Sequence, residues 1–224
     1  MASAAAVGIL GGTFDPVHYG HLRLGEELAG LLGLAKVHFI PVGMPSHRGA
    51  PRVSADHRVE MVRLALDGNA LFELDERECR QAEPSYTVDT LTALREEWGN
   101  QRPVSLLMGS DAFVALTTWK RWEHLFDLAH LVVAHRPGFS LNDYAGRLPP
   151  ALRQVYQARL AAAPEQVHTA PAGRVLPVAT TALDISATSI RAMVAKGHSP
   201  RYLLPEAVID YIDRHQLYRT LNER

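Results

Sequence analysis

The chain has 224 residues, 47% of them hydrophobic and 21% charged, enough apolar material for one large α/β domain without disulfides or metal staples. Its 23 basic and 24 acidic residues leave a net charge of −1, which excludes the basic footprint of a dedicated nucleic-acid binder and requires any anionic ligand to be met by locally placed charge. A single cysteine, Cys79, excludes an intrachain disulfide and points to a reducing, cytoplasmic setting.

The apolar run from Ala4 to Leu10 is too short to cross a membrane, and no Lys or Arg precedes it. Neither a membrane span nor a secretory signal is expected. Val7 to Leu10 reads as a first buried strand, stopped by Gly11 and Gly12. Tyr19 to Leu32 carries leucines at helical spacing. Val37 to Val42 is a second buried strand. Gly43 to Val53 is an extended loop with His47, Arg48 and Arg52. Ser54 is the expected N-cap of a helix running to about Asp67. Leu71 to Leu74 is a short strand, and Thr87 to Trp98 a helix with Leu91, Leu94 and Trp98 on one face.

Val104 to Met108 is a strongly apolar strand ended by Gly109-Ser110-Asp111. Helices are expected over Ala112–Leu116 and Trp119–Leu128, then a strand over Leu131–Ala134 ended by Arg136-Pro137-Gly138. An alanine-rich helix is expected over Leu148–Ala163, and a last strand over Val175–Val178. Ser186–Lys196 and Pro205–His215 close the chain as helices, with Gly197 capping the first. The stretch from about 142 to 173 reads as an insertion or a peripheral helix. Buried strands alternating with amphipathic helices indicate βαβ units and a parallel sheet.

The chemistry starts in the first turn, Gly11-Gly12-Thr13-Phe14-Asp15-Pro16-Val17-His18-Tyr19-Gly20-His21. Glycines let the backbone turn sharply and approach a ligand. The helix that follows offers its amide groups and dipole to an anion. His18 and His21 are three apart on the first helical turn and share a face. Together they suit charge stabilisation at an attacked phosphorus. Zinc on a helix uses histidines at i and i+4 with a third ligand. That pattern is missing, so no protein-held metal is expected.

His18-Tyr19-Gly20-His21 resembles the HxGH signature of the adenylyl- and cytidylyltransferase superfamily. The whole run from Gly11 to His21 is similar to that of the bacterial nicotinate-nucleotide adenylyltransferases, and the resemblance extends over nearly the whole chain. It implies a Rossmann-like doubly wound parallel sheet of the nucleotidyltransferase type. It implies a single domain over 1–224, with a small C-terminal helical part from about 181 to 224.

The implied activity is transfer of an adenylyl group from ATP, with its Mg²⁺, to nicotinate mononucleotide in NAD biosynthesis. His18, His21 and Arg191 are then the catalytic residues. ATP binding is implied for Gly11, Gly12, Thr13, Phe14, His18, Gly20, His21, Gly109, Asp111, Ile185, Ser186, Thr188 and Arg191. Ala187 stands where the family commonly has a serine. The mononucleotide would be met by Thr13, Asp15, His47, Arg48, Ser85, Tyr86, Thr87, Trp119 and Arg136, with Trp119 stacked on the pyridine ring.

Physical chemistry supports parts of this assignment independently. A helix N-terminus at Ser85–Thr87 suits a carboxylate, although Ser85 or Thr87 would equally serve as an N-cap. Asp111 likewise suits a ribose contact or a helix cap. Trp122 is the tryptophan expected in the core. The rival readings are another HxGH nucleotidyltransferase, such as a phosphopantetheine adenylyltransferase, or a non-catalytic nucleotide sensor. Partners are ATP and the mononucleotide, with no nucleic acid and no membrane; a homo-oligomer is compatible with the sequence.

Overall fold

A computed structural model describes residues 5–44, 49–135, 145–181 and 183–219. Its strands are β1 (Val7–Gly12), β2 (Lys36–Pro41), β3 (Phe72–Leu74), β4 (Val104–Gly109), β5 (His130–His135) and β6 (Val175–Ala179). They form one sheet in the order β3-β2-β1-β4-β5-β6. This is the doubly wound order, in which the chain reverses direction of growth at β1 and β4. The pairs β1–β4, β4–β5 and β5–β6 are parallel, with Leu106 opposite Leu131 and Leu131 opposite Val175. β4 and β5 are continuous apolar runs buried along nearly their whole length, as expected for strands covered on both faces.

The principal helices are α1 (Tyr19–Leu32), α2 (Ala55–Leu66), α3 (Thr87–Trp98), α4 (Ser110–Val114), α5 (Leu125–Leu128), α6 (Pro150–Arg159), α7 (Ala187–Ala195) and α8 (Glu206–Arg214). Ser54 caps α2 as expected, its hydroxyl accepting from His57 N. Gly197 ends α7 at φ +72°. Its N–H donates to Val194 O, and His198 N–H donates to Met193 O, the paired bonds of a Schellman ending.

Two sequence-based helices are corrected. Trp119–Leu128 is not one helix. Trp119 is extended, Arg121 is left-handed at φ 47° and ψ 44°, and only Leu125–Leu128 is α-helical. The expected helix over Leu148–Ala163 is confined to Pro150–Arg159. At Leu160 the chain leaves helical geometry to bridge Val175, and Ala161 N–H donates to Val175 O at 2.8 Å.

The chain divides into two compact units. One comprises Met1–Gly11, Leu24–His38 and Tyr86–Ala182, and the other Gly12–Arg23, Phe39–Ser85 and Leu183–Arg224. The first has its core on β4, β5 and β6, around Leu107, Leu131, Val132, Val133 and Val175. Arg95 is buried there, its guanidinium donating to Leu128 O, Arg102 O and Pro171 O. The second packs Phe14, Phe39, Met61 and Val62, with the Phe14 ring 5.8 Å from Phe39.

Candidate active site

The turn after β1 is shaped by Phe14, which is left-handed at φ 49° yet has its ring buried. A Cβ on Gly12 would come within 2.9 Å of that ring and push it from its buried place. The Phe14 ring edge meets His21 at 5.0 Å. Phe14, expected to touch ATP, is thus a core residue, 2% exposed.

His18 and His21 lie face to face, with ring centroids 3.7 Å apart and an interplanar angle of 29°. His18 is the residue before α1, and its backbone N–H donates to His21 Nδ1 at 3.3 Å. This is the back-reaching half of a capping box, with histidine in place of the usual Glu or Gln. The bond fixes a tautomer: Nδ1 accepts, so neutral His21 carries its proton on Nε2. Burial lowers the His18 pKa to about 4. Burial, then the neighbouring His18, holds His21 well below the ordinary histidine value. Both rings are therefore neutral near pH 7. Gly20 completes the arrangement, since a Cβ there would meet His18 Nδ1 at 2.9 Å.

Arg191 reaches this turn from α7. Its Nη1 donates to the Asp15 carbonyl at 2.6 Å, and its Nη2 donates to Thr188 Oγ1 at 3.2 Å. Ser186 is the N-cap of α7, its Oγ accepting from Ser189 N at 3.1 Å. Ser186 and Thr188 thus hold protein groups, while the N–H groups of Ala187 and Thr188 at the start of α7 have no helical acceptor and remain suited to an anion. Asp15, expected to meet the mononucleotide, spends both carboxylate oxygens within the protein. Oδ2 accepts from Arg52 N and Oδ1 from the Tyr218 hydroxyl, each at 2.7 Å.

Two supporting residues were not among the expected ones. Arg58 on α2 is 1% exposed. Its guanidinium donates to the carbonyls of Thr13, Val42 and Gly43 at 2.9, 2.6 and 2.9 Å. The sequence did contain a signal, because Arg58 shares the buried face of α2 with Met61, Val62 and Leu66, and a charge on an apolar stripe needs partners. Tyr218 has no comparable signal, since its partner Asp15 lies 203 residues away.

The other expected group lies in the unit built on β4–β6, apart from Ser85. Ser85 is buried and its hydroxyl donates to Glu78 O at 3.4 Å. Tyr86, not Ser85 or Thr87, is the N-cap of α3, with no side-chain capping bond. Thr87 opens the helix, so its N–H is one of the first-turn donors. Lys120 Nζ sits 4.3 Å from the Tyr86 ring centroid. Asp89, in the first turn of α3, pairs with Lys120 and Arg121 at 2.9 Å each.

These pairs hold Lys120 and Arg121 to α3, at the break in the expected helix beside Trp119. Trp119 is partly exposed, as is Trp122, whose ring meets Phe126 edge-on at 6.2 Å. Gly109 is the N-cap of α4 without a side-chain bond, and Asp111 is exposed on its first turn. Asp111 is thus not the cap that its position allowed. His47, Arg48 and Arg136 lie outside the described residues.

The remaining histidines include clear structural roles. His130 Nδ1 accepts from Arg174 N and its Nε2 donates to Ala170 O. His168 Nε2 bonds Leu32 O at 2.7 Å. Among the described residues, no group of three His, Cys, Asp or Glu side chains could hold a metal ion, and no helix is long and apolar enough to cross a membrane.

The cytidylyltransferase-like family model matches residues 9–193. The chain is 50% identical over 213 residues to a Dechloromonas aromatica (strain RCB) protein named "Probable nicotinate-nucleotide adenylyltransferase", covering 95% of this chain and 97% of that one. It is 46% identical over 215 residues to an Acidithiobacillus ferrooxidans protein of the same name, covering 95% of each. Its fold is similar to that of Plasmodium falciparum nicotinic acid mononucleotide adenylyltransferase complexed with NaAD. There the TM-score is 0.72 and the identity 17%, over 96% of this chain and 97% of that one.

Proposed function

The chain belongs to the cytidylyltransferase-like family and, within it, to the nicotinate-nucleotide adenylyltransferases, and we propose that it transfers the adenylyl group of ATP to nicotinate mononucleotide, giving deamido-NAD and pyrophosphate, in NAD biosynthesis. The observation that carries this reading is the stacked His18–His21 pair, neutral and tautomerically fixed by the cap of α1.

A phosphate oxygen of the mononucleotide attacks the α-phosphorus of MgATP in line. The bond from that phosphorus to the bridging oxygen breaks, and pyrophosphate carries away the electron pair. The attacking phosphate is already ionised near neutral pH, so no protein base is needed. The protein supplies position and charge stabilisation. His18 and His21 face the ATP phosphates, with His21 Nε2–H nearer the reacting centre. Arg191 and the first-turn amides of α7 hold the β- and γ-phosphates. Magnesium arrives as part of the MgATP substrate.

On the acceptor side, the first-turn amides of α3 at Tyr86–Thr87 take the nicotinate carboxylate. Trp119 stacks on the pyridine ring. On the ATP side, Asp111 serves a ribose hydroxyl. His47, Arg48 and Arg136 keep their roles toward the mononucleotide on family resemblance. A carboxylate at a helix N-terminus favours nicotinate over nicotinamide. One half-buried free cysteine agrees with a reducing, cytoplasmic setting.

The test is pyrophosphate release from MgATP with nicotinate mononucleotide, beside nicotinamide mononucleotide and phosphopantetheine. Turnover with the nicotinate form alone is expected. Turnover with phosphopantetheine alone would overturn the substrate. ATP binding with no release from any acceptor would overturn the reaction.

A further inference from the structure

After α8 the backbone turns back on itself at Gln216 and Tyr218. Both are left-handed, at φ 53° and φ 62°. Leu217 between them is buried, and its N–H donates to Ile212 O at 2.9 Å. An aromatic residue at positive φ is a true outlier, and it persists only where the surroundings over-determine it. These two reversals turn the chain back and send the Tyr218 phenol inward. Its hydroxyl donates to Asp15 Oδ1 at 2.7 Å and lies 4.0 Å from Met61 Sδ.

The phenol lands on a residue of the catalytic turn. Asp15 is 4% exposed and precedes His18 by three positions. Its other carboxylate oxygen, held by Arg52 N, is 3.9 Å from Arg191 Nη1, while its carbonyl accepts from the same Nη1 at 2.6 Å. Asp15 thus fixes the guanidinium through both its main chain and its charge. Burial, then the Asp15 charge, raises the Tyr218 pKa far above an ordinary phenol, so the hydroxyl remains a donor throughout the working range.

We propose that Tyr218 is a positioning residue for MgATP binding: through Asp15 it sets the guanidinium of Arg191 for the nucleotide's phosphates. This inference rests on the phosphate role given to Arg191 above, and not on the identity of the acceptor.

The experiment is calorimetric titration of MgATP alone into wild type, Tyr218→Phe, Arg191→Lys and the double variant, with the melting temperature of each recorded. Removing one oxygen leaves the aromatic packing in place. Tyr218→Phe is expected to weaken the Kd for MgATP about tenfold, the scale of one hydrogen bond to a charged group. In the Arg191→Lys background the same change should have little further effect, because both act on one contact. A Kd within about twofold of wild type, or effects that simply multiply in the double variant, would overturn the proposal. Failure of the acceptor reading would appear elsewhere: wild type would bind MgATP yet release no pyrophosphate with nicotinate mononucleotide.

Discussion

The histidine turn and the Trp119 region are held in opposite ways. Around His18 and His21 the polar links run to backbone or to buried groups. They include the His18 N–H on His21 Nδ1, Arg58 on three carbonyls, and Tyr218 on Asp15. Around Trp119 the chain is held by Asp89 on Lys120 and Arg121, with side chains roughly half exposed. Exposed ion pairs contribute about 0.2–1 kcal/mol each and weaken with salt. Hydrogen bonds to buried charged groups contribute about 1.5–3 kcal/mol. The firm region is the one assigned to the transition state, where small displacements cost rate. The softer region is assigned to ground-state recognition of a flat ring, which tolerates adjustment.

The largest effect should come from the firm region. His21→Ala removes the Nε2–H donor and frees the His18 N–H that Nδ1 holds. Turnover should fall by at least ~100-fold, the scale of losing one preorganised donor, with little change in the KM for the mononucleotide. Steady-state kinetics on the folded variant would read this, and near wild-type turnover would remove His21 from the mechanism.

The contrast also explains what the sequence could carry. The HxGH turn was legible because two histidines, the intervening Gly20 and the preceding glycines sit within one short segment. Ser54 and Gly197 were legible for the same reason, since caps are local. The helix expected over Trp119–Leu128 is interrupted at left-handed Arg121, and Lys120 and Arg121 pair with Asp89, about thirty positions earlier, which no local pattern shows. Arg58 was legible only through its place on the apolar face of α2. Asp15 was expected to face ligand, and no local pattern shows that Tyr218 and Arg52 occupy its oxygens.

A second, intermediate effect concerns pH. The folded protein holds His18 at a pKa of about 4, against about 6.5 in the unfolded chain. Between those values the unfolded state binds the additional proton. The contribution is therefore complete above about pH 6.5 and declines as pH falls toward 4, with a limiting slope of about 1.4 kcal/mol per pH unit for one such group. His21 acts in the same direction. Urea unfolding of wild type should lose stability between pH 7 and pH 5 more steeply than that of His18→Gln. NMR should show the His18 ring still neutral at pH 5.5. Equal slopes, or a His18 midpoint near 6.5, would contradict the buried neutral pair.

The smallest effect belongs to the soft region. Trp119 is extended between a 3₁₀ turn and left-handed Arg121, so its ring can be removed without cutting a helix. Its N–H bond to Leu116 O is backbone and survives substitution. Trp119→Ala should raise the KM for nicotinate mononucleotide about tenfold, near the upper range of an aromatic pair beyond its area. Turnover and the KM for ATP should stay within about threefold, because no group at the phosphorus has moved. Lys120 and Arg121 lie beside Trp119 and are tethered through screened ion pairs. The same KM should therefore climb with added salt in wild type and less so in the variant. If Trp119→Ala instead lowered turnover with KM unchanged, the tryptophan would serve the transition state, and the division between a firm chemical end and a soft recognition end would not hold.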